Sequence, residues 1–340
     1  MNLLAEIMPR GWENFLPGFR FPLLTAAVSC LIVLLVTPWV IKLAHKFGAV
    51  DDPTRDERRV HSKITPRWGG IGIFAGILFA VLLVLPFAYP TKPFPPYLIG
   101  LLVAGIVLVI AGALDDLYQY SAKIQLAYMV ILGIGIQFAF DPIGRIQVQG
   151  FSWGGQWVAF GWVGIPLTAI YLFVVSKTMD TIDGIDGLAS GIATIAATTL
   201  GIIATLSGQP RVALVAMAIA GASLGFLRYN YHPAKIFMGT GGAQTLGFLL
   251  AALSIVGAMK TAAAVALIVP LLVFGIPIFD AFFVVTRRLL SRTPLTQPDK
   301  RHVHHTLLGQ GFTQRQTVWI LYLVAIALSG VVLFLVRTWG

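Results

Sequence analysis

The sequence predicts an all-α polytopic membrane protein of about ten transmembrane helices with one short external β-hairpin, folded as a single domain over 1–340. Three observations carry this. Hydrophobic residues make up 57% of the chain and charged residues 11%, against roughly a quarter charged in soluble domains. Apolar runs long enough to cross about 30 Å of hydrocarbon recur along the whole chain, and the mean hydropathy is +0.84. The cations sort by side. If the first polar loop is cytoplasmic, alternation places 17 of the 24 Lys and Arg on that face and leaves seven outside: Arg10, Arg20, Lys92, Arg145, Arg211, Lys260 and Arg337.

In chain order, an amphipathic piece at the start contains Glu6, Glu13, Pro9 and Pro17 where a cleavable signal would need an apolar core, so the first span is expected to act as the anchor. Candidate spans follow at 21–44, 68–89, 97–114, 123–140, 162–179, 188–207, 211–228, 243–259, 262–285 and 317–337. Both termini then lie outside. The alternating character of 145–150 and 157–160 around Gly154 and Gly155 predicts the hairpin. Cys30 is the single cysteine, sits in an apolar run and excludes an intramolecular disulfide. The formal charge of +10 follows the membrane sides of the loops, which argues for a bilayer surface and against a nucleic-acid partner.

The polar residues crowd one face. Asp115 and Asp116 end the third span, Asp180, Asp183 and Asp186 follow the fifth, and Arg301, His302, His304 and His305 occupy the last loop on the same side. A carboxylate at the mouth of a bilayer is costly and marks function by default. If 177–191 is helical, the spacing of three sets Asp180, Asp183 and Asp186 slowly around one face, where they converge on one cation. The blander reading of that stretch is a polar loop between two spans. Adjacent Asp115 and Asp116 cannot point the same way, and their like charge favours a shared cation or a raised pKa on one of them; aspartate oxygens suit Mg²⁺. The three histidines lack the cysteine partners or i,i+4 spacing of a zinc site and, beside Lys300, Arg301 and Arg315, suit phosphate better. Gly239, Thr240, Gly241 and Gly242 form a turn opening the eighth span, whose amides would hold an anion. Asp280, inside an apolar run after Pro277, needs a partner that the sequence does not name.

Taken together, Asp52 and Pro53, Arg58, Arg59 and His61, Thr65 to Gly70, Gly112 to Asp116, Ile182 to Ala189, Phe237 to Gly239, Pro277 to Asp280, and His302, His304 and His305 resemble the motifs of the polyprenyl-phosphate N-acetylhexosamine-1-phosphate transferases of glycosyltransferase family 4. The order of these motifs covers about 45–316. The histidine pattern followed by Leu307, Leu308 and Gly311 looks more like the branch that transfers GlcNAc-1-phosphate than the muramoyl-pentapeptide branch. The resemblance implies a Mg²⁺-dependent enzyme, Mn²⁺ being an acceptable substitute, in the bacterial cytoplasmic membrane with its active site on the cytoplasmic face. It would move a sugar 1-phosphate from a UDP-N-acetylhexosamine to polyprenyl phosphate, releasing UMP, as the first membrane step of an envelope glycan such as lipopolysaccharide or teichoic acid. By analogy with relatives it would form a homodimer.

On this reading Asp115, Asp116, Asp183, Asp186, His302, His304 and His305 are the expected catalytic residues. Lys63, Arg67, Lys177, Phe237, Gly239, Thr240 and Arg301 are expected to bind substrate, and Asp115, Asp116, Asp180, Asp183 and Asp186 to supply metal ligands. Five positions depart from the family pattern: Lys177 and Asp180 replace Asn, Thr240 replaces the Asp that ligates magnesium, Ala243 replaces Ser and Thr306 replaces Arg. The expectation is that Asp180 restores the carboxylate that Thr240 removes, while Lys177 meets a phosphate. Two rivals stand beside the enzyme: an inactive relative, and a transporter, which would need polar groups through the depth of the membrane.

Overall fold

The computed structural model describes residues 15–52, 64–92, 94–138, 146–153, 156–258, 275, 278–280, 283, 286, 288 and 302–339. Lys63, Arg301, the 53–63 part of the first loop and most of the expected 262–285 span lie outside the described residues. Among the described residues the α-helices and strands run in order: α1 (Phe15–Phe47), β1 (Val50–Asp51), β2 (Thr65–Pro66), α2 (Gly69–Ala88), α3 (Pro96–Tyr118), α4 (Ala122–Phe138), β3 (Gly150–Trp153), β4 (Gln156–Ala159), α5 (Gly164–Ile182), α6 (Leu188–Leu206), α7 (Pro210–Asn230), α8 (Gly239–Ala258), α9 (Val303–Gly309) and α10 (Gln314–Trp339). Eight of these are long and apolar enough to cross a membrane, and α4, at 17 residues, is the shorter ninth. The protein is thus an all-α integral membrane protein. The expected hairpin is present as β3 and β4, with Gly150 opposite Ala159 and Trp153 opposite Gln156.

Helix α8 is the axis of the bundle, packing against α2, α3 and α5 and more lightly against α6 and α7. Its sequence explains why. Lipid is as apolar as Leu, so helix association in a bilayer relies on close van der Waals approach, which small residues permit. A Cβ at Gly112 of α3 would stand 2.2 Å from the Gly241 Cα, and one at Gly70 of α2 would stand 2.3 Å from the Gly242 nitrogen. Backbone therefore meets backbone at both crossings.

The other helices close around this axis. α1 lies against α7 and α2, α6 against α7, and α10 against α6. Leu31, Leu35 and Trp39 of α1, Leu83 and Phe87 of α2, and Leu323 and Phe334 of α10 are exposed, which is the lipid-facing pattern. Hydroxyls inside the spans bond back to the preceding turn, as Thr37 does to the Val33 carbonyl at 2.6 Å and Ser176 to Leu172 at 2.7 Å. In hydrocarbon a hydroxyl has few other partners.

Sequential helices alternate in direction, so the C-termini of α1, α3, α5 and α7 meet the N-termini of α2, α4, α6 and α8 at one end. All the polar motifs among the described residues gather there.

Candidate active site

The frame of the site is a backbone ladder between two segments far apart in sequence. Phe237 N–H donates to the Pro66 carbonyl at 2.7 Å, Gly69 N–H to Phe237 at 3.0 Å, and Gly70 N–H to Met238 at 2.8 Å. This brings Arg67 and Phe237 together beside the first turn of α8. Gly239 takes φ +73, and a Cβ there would lie 2.0 Å from the Arg67 carbonyl oxygen and 2.3 Å from Asp116 Oδ2. Only glycine satisfies both conditions. The N-terminal turn of α8 does hold an anion, but that anion is the protein's own: Thr240 N–H donates to Asp116 Oδ1 at 3.1 Å, and Arg67 Nε lies 3.5 Å from the same oxygen. Thr240 is buried and acts through its backbone.

Asp115 points elsewhere, as neighbours on a helix must. It accepts from Tyr120 N–H at 2.8 Å and from Gln125 Nε2 at 3.0 and 3.1 Å on its two oxygens. The Gln125 carbonyl in turn accepts from Lys177 Nζ at 2.8 Å, and Lys177 also pairs with Asp180. Gln244 Nε2 reaches Asp180 at 3.4 Å while its carbonyl takes the Tyr128 hydroxyl. Two carboxylates on α3 and α5 are thus tied through amides on α4 and α8.

The stretch with the three spaced aspartates is not one helix. α5 ends at Ile182, Asp183 is its C-terminal cap, 184–187 form a turn, and α6 begins at Leu188. Gly184 and Gly187, the latter at φ +83, break the helix that would have aligned the carboxylates. The three therefore diverge. Asp180 faces Lys177, and Asp186 accepts from Ala234 N–H at 3.0 Å and sits 2.8 Å from His232 Nδ1. Asn230 completes that corner, accepting from Gly187 N–H at 3.1 Å and donating to Ile236 at 3.0 Å. Asp186 is thus spent on holding the 232–234 loop.

Asp183 differs from its neighbours: among the described residues no hydrogen bond or ion pair engages its carboxylate. Burial, then the charge of Asp180, pushes it well above the usual carboxylate range, with Arg67 pulling the other way and Asp116 and Asp186 adding to the rise. Among the described residues, the carboxylates Asp115, Asp116, Asp180 and Asp183 gather here around the cations Arg67 and Lys177. Among the described residues no group of three His, Cys, Asp or Glu side chains is placed to hold a metal ion as the side chains stand. The donor chemistry fits a hard cation, because Asp116, Asp180 and Asp183 supply carboxylate oxygens.

The histidine segment folds over the turn. Asp280 finds its partner in His302: Nδ1 lies 2.8 Å from Oδ2, and Val303 N–H donates to Oδ1 at 2.7 Å. That orients the imidazole, whose Nε2 has no hydrogen-bond partner among the described residues. It also ties Asp280 to the same end as the other acids.

His304 is 1% exposed, its Nδ1 is unpartnered, and a Cβ at Gly184 would stand 2.6 Å from its Nε2. Burial, then His305, drives it down to about 3, so it is neutral and cannot hold phosphate as a cation. His305, half-buried, lies 4.4 Å from it ring to ring. The unfolded chain binds a proton near 6.5 that folded His304 refuses until about 3, so this residue's share of stability falls as pH drops across that window. Wild type is expected to lose about 2 kcal/mol more than His304→Leu between pH 7 and pH 5, read by thermal unfolding in detergent. Equal losses would show that His304 titrates freely.

The comparisons with known proteins agree with this architecture. Residues 98–258 match the family described as glycosyl transferase family 4. Over 314 residues the chain is 34% identical to a Bacillus subtilis protein named probable undecaprenyl-phosphate N-acetylglucosaminyl 1-phosphate transferase, an alignment covering 92% of this chain and 85% of that one. The chain belongs to glycosyl transferase family 4. A decaprenyl-phosphate N-acetylglucosaminephosphotransferase of Mycolicibacterium smegmatis is 33% identical over 88% of this chain and 78% of its own. An undecaprenyl-phosphate alpha-N-acetylglucosaminyl 1-phosphate transferase of Escherichia coli K12 is 28% identical over 91% and 83%.

Within this family 4 site, sequence reasoning did not single out Gln125, Tyr128, Asn230, His232 or Gln244. Gln125 and Gln244 carried one usable signal, an amide inside an apolar run. His232 carried none, because its pairing with Asp186 spans 46 positions.

Proposed function

We propose that this protein transfers N-acetylhexosamine 1-phosphate, GlcNAc-1-phosphate in particular, from a UDP-sugar to polyprenyl phosphate and releases UMP. The observation that carries the reading is the unengaged Asp183 carboxylate facing Asp116, Asp180 and Arg67, in a chain of this family, at the mouth of a membrane-spanning bundle. The positive-inside distribution of Lys and Arg supports a cytoplasmic position for that mouth.

Transfer between two anions asks the protein to position reactants and neutralise charge. An oxygen of the lipid phosphate attacks the sugar-bearing β-phosphorus, a new P–O bond forms, and the bond to the UMP oxygen breaks. Asp183, the carboxylate with no hydrogen-bond or ion-pair partner among the described residues, takes the proton of the acceptor phosphate. Asp116, Asp180 and Asp183 would hold a divalent cation, Mg²⁺ with Mn²⁺ as substitute, which when bound supplies neutralisation of the diphosphate. Arg67 lies at the rim of this group, and Phe237 beside it offers an aromatic face to uracil. His302, held by Asp280, directs Nε2 to a phosphate oxygen. Asp115 and Asp186 position the site by fixing Gln125 and the 232–234 loop.

The test is UMP release by the full-length protein in detergent from UDP-GlcNAc and undecaprenyl phosphate, with Mg²⁺ or with EDTA. Release that needs both substrates and stops in EDTA is expected. No release with any UDP-N-acetylhexosamine would leave an inactive family member as the better account.

A further inference from the structure

Lys177 and Asp180 place an ion pair inside a group of acids. The pair is more than two side chains meeting on one helix turn. Lys177 Nζ has two acceptors, Asp180 Oδ2 on its own helix and Gln125 Oε1 on α4 at 2.8 Å, and the other end of the Gln125 amide is committed to both oxygens of Asp115. The amide therefore presents its oxygen to the ammonium and its N–H groups to the carboxylate, and neither end can reverse without stranding a charge. Asp180 is further held by Gln244. The ammonium thus neutralises the Asp180 carboxylate at Oδ2, the oxygen that Gln244 also reaches.

We propose that Lys177 is a built-in counter-cation of this site, holding Asp180 until a divalent ion displaces it. This rests on the divalent-cation part of the proposed function.

The exposures fit an exchange. The Lys177 side chain is 39% exposed and that of Asp180 18%, so the flexible stem can swing out while the carboxylate stays. Lys is also the suitable cation for release, being a strongly hydrated point charge with no fixed fork. A dication approaching Asp116 and Asp183 meets an Asp180 whose charge the ammonium already neutralises, and the two cations repel each other across one carboxylate. The displaced ammonium would remain within one helical turn of Asp180, at the place where the diphosphate binds. The pair also revises the expected compensation between Asp180 and Thr240. Lys177 cancels the charge that Asp180 adds until the exchange occurs.

The competition is measured without substrate. Mn²⁺ binding to the full-length protein in detergent is followed by electron paramagnetic resonance for wild type, Lys177→Met, Lys177→Arg and Asp180→Asn. Lys177→Met is expected to bind Mn²⁺ roughly five- to tenfold more tightly than wild type, the scale of one charge-assisted contact removed as a competitor. Lys177→Arg should bind Mn²⁺ no more tightly than wild type, since its fork holds the carboxylate at least as firmly, and Asp180→Asn should erase the gain when combined with Lys177→Met. Lys177→Gln gives the same comparison if the Met variant fails to fold, since it keeps a polar group toward Gln125. Equal or weaker binding by the uncharged variants, in a protein whose wild type binds Mn²⁺, overturns the proposal and leaves the transferase reading intact. No Mn²⁺ binding by any form overturns both this and the divalent-cation role, while UMP release tests the transfer itself separately.

Discussion

Replacing Asp183 by Asn is expected to lower UMP release roughly 10³-fold while leaving the thermal midpoint unchanged or raised, an effect of the size seen when a preorganised charge at the reacting group is lost. The reason lies in what each carboxylate already does. Asp115 binds Gln125 and the Tyr120 amide, Asp116 binds the first turn of α8, and Asp186 binds the 232–234 loop. Asp183 supports no such contact and instead carries the electrostatic strain of its neighbours. Removing its charge therefore relieves repulsion in the fold while deleting the group poised for the proton and the cation. Asp186→Asn should behave in the opposite way, lowering the midpoint by several degrees as the His232 and Ala234 contacts weaken. Thermal unfolding and initial rates on the same samples separate the two, and an Asp183→Asn variant that lost stability without losing rate would return Asp183 to a structural role.

Gly112→Ala is expected to destabilise the protein by about 3 kcal/mol or more and to abolish transfer, beyond the ordinary cost of a single added methyl. Its Cβ would stand 2.2 Å from the Gly241 Cα and 2.3 Å from the Gly241 nitrogen, both backbone atoms that have no rotamer to change. Relief requires α3 and α8 to separate, and that separation carries Asp116 away from the Thr240 amide one turn along. Gly135→Ala on α4 is the control, since nothing lies within 4 Å of the added atom there. Both variants are read by fluorescence-detected gel filtration and UMP release. A Gly112→Ala protein as stable as the Gly135→Ala one would show that the α3–α8 crossing is looser than the structure has it.

The span pattern, the hairpin and the gathering of the acids at one end were legible because each rests on local composition: apolar run length, strand alternation and the side on which Lys and Arg fall. The motifs around Arg67, Asp116 and Gly239 were legible as separate pieces. Their joining was not, since the ladder between 66–70 and 237–238 crosses about half the chain. The even spacing of Asp180, Asp183 and Asp186 misled, because periodicity within a helix has meaning only if the helix continues. Gly184 and Gly187 stop it.

The sequence by itself determined that this chain spans a membrane and that the carboxylates and histidines of its motifs share one end. Such properties follow from partition between water and hydrocarbon, which acts on each segment separately. Only the tertiary structure decided which of those groups are spent and which are free. Thr240 is 124 positions from Asp116, Ala234 is 48 from Asp186, and Gln125 is 52 from Lys177. A carboxylate becomes scaffold or reagent according to the donors that packing brings to it, and those donors come from other helices.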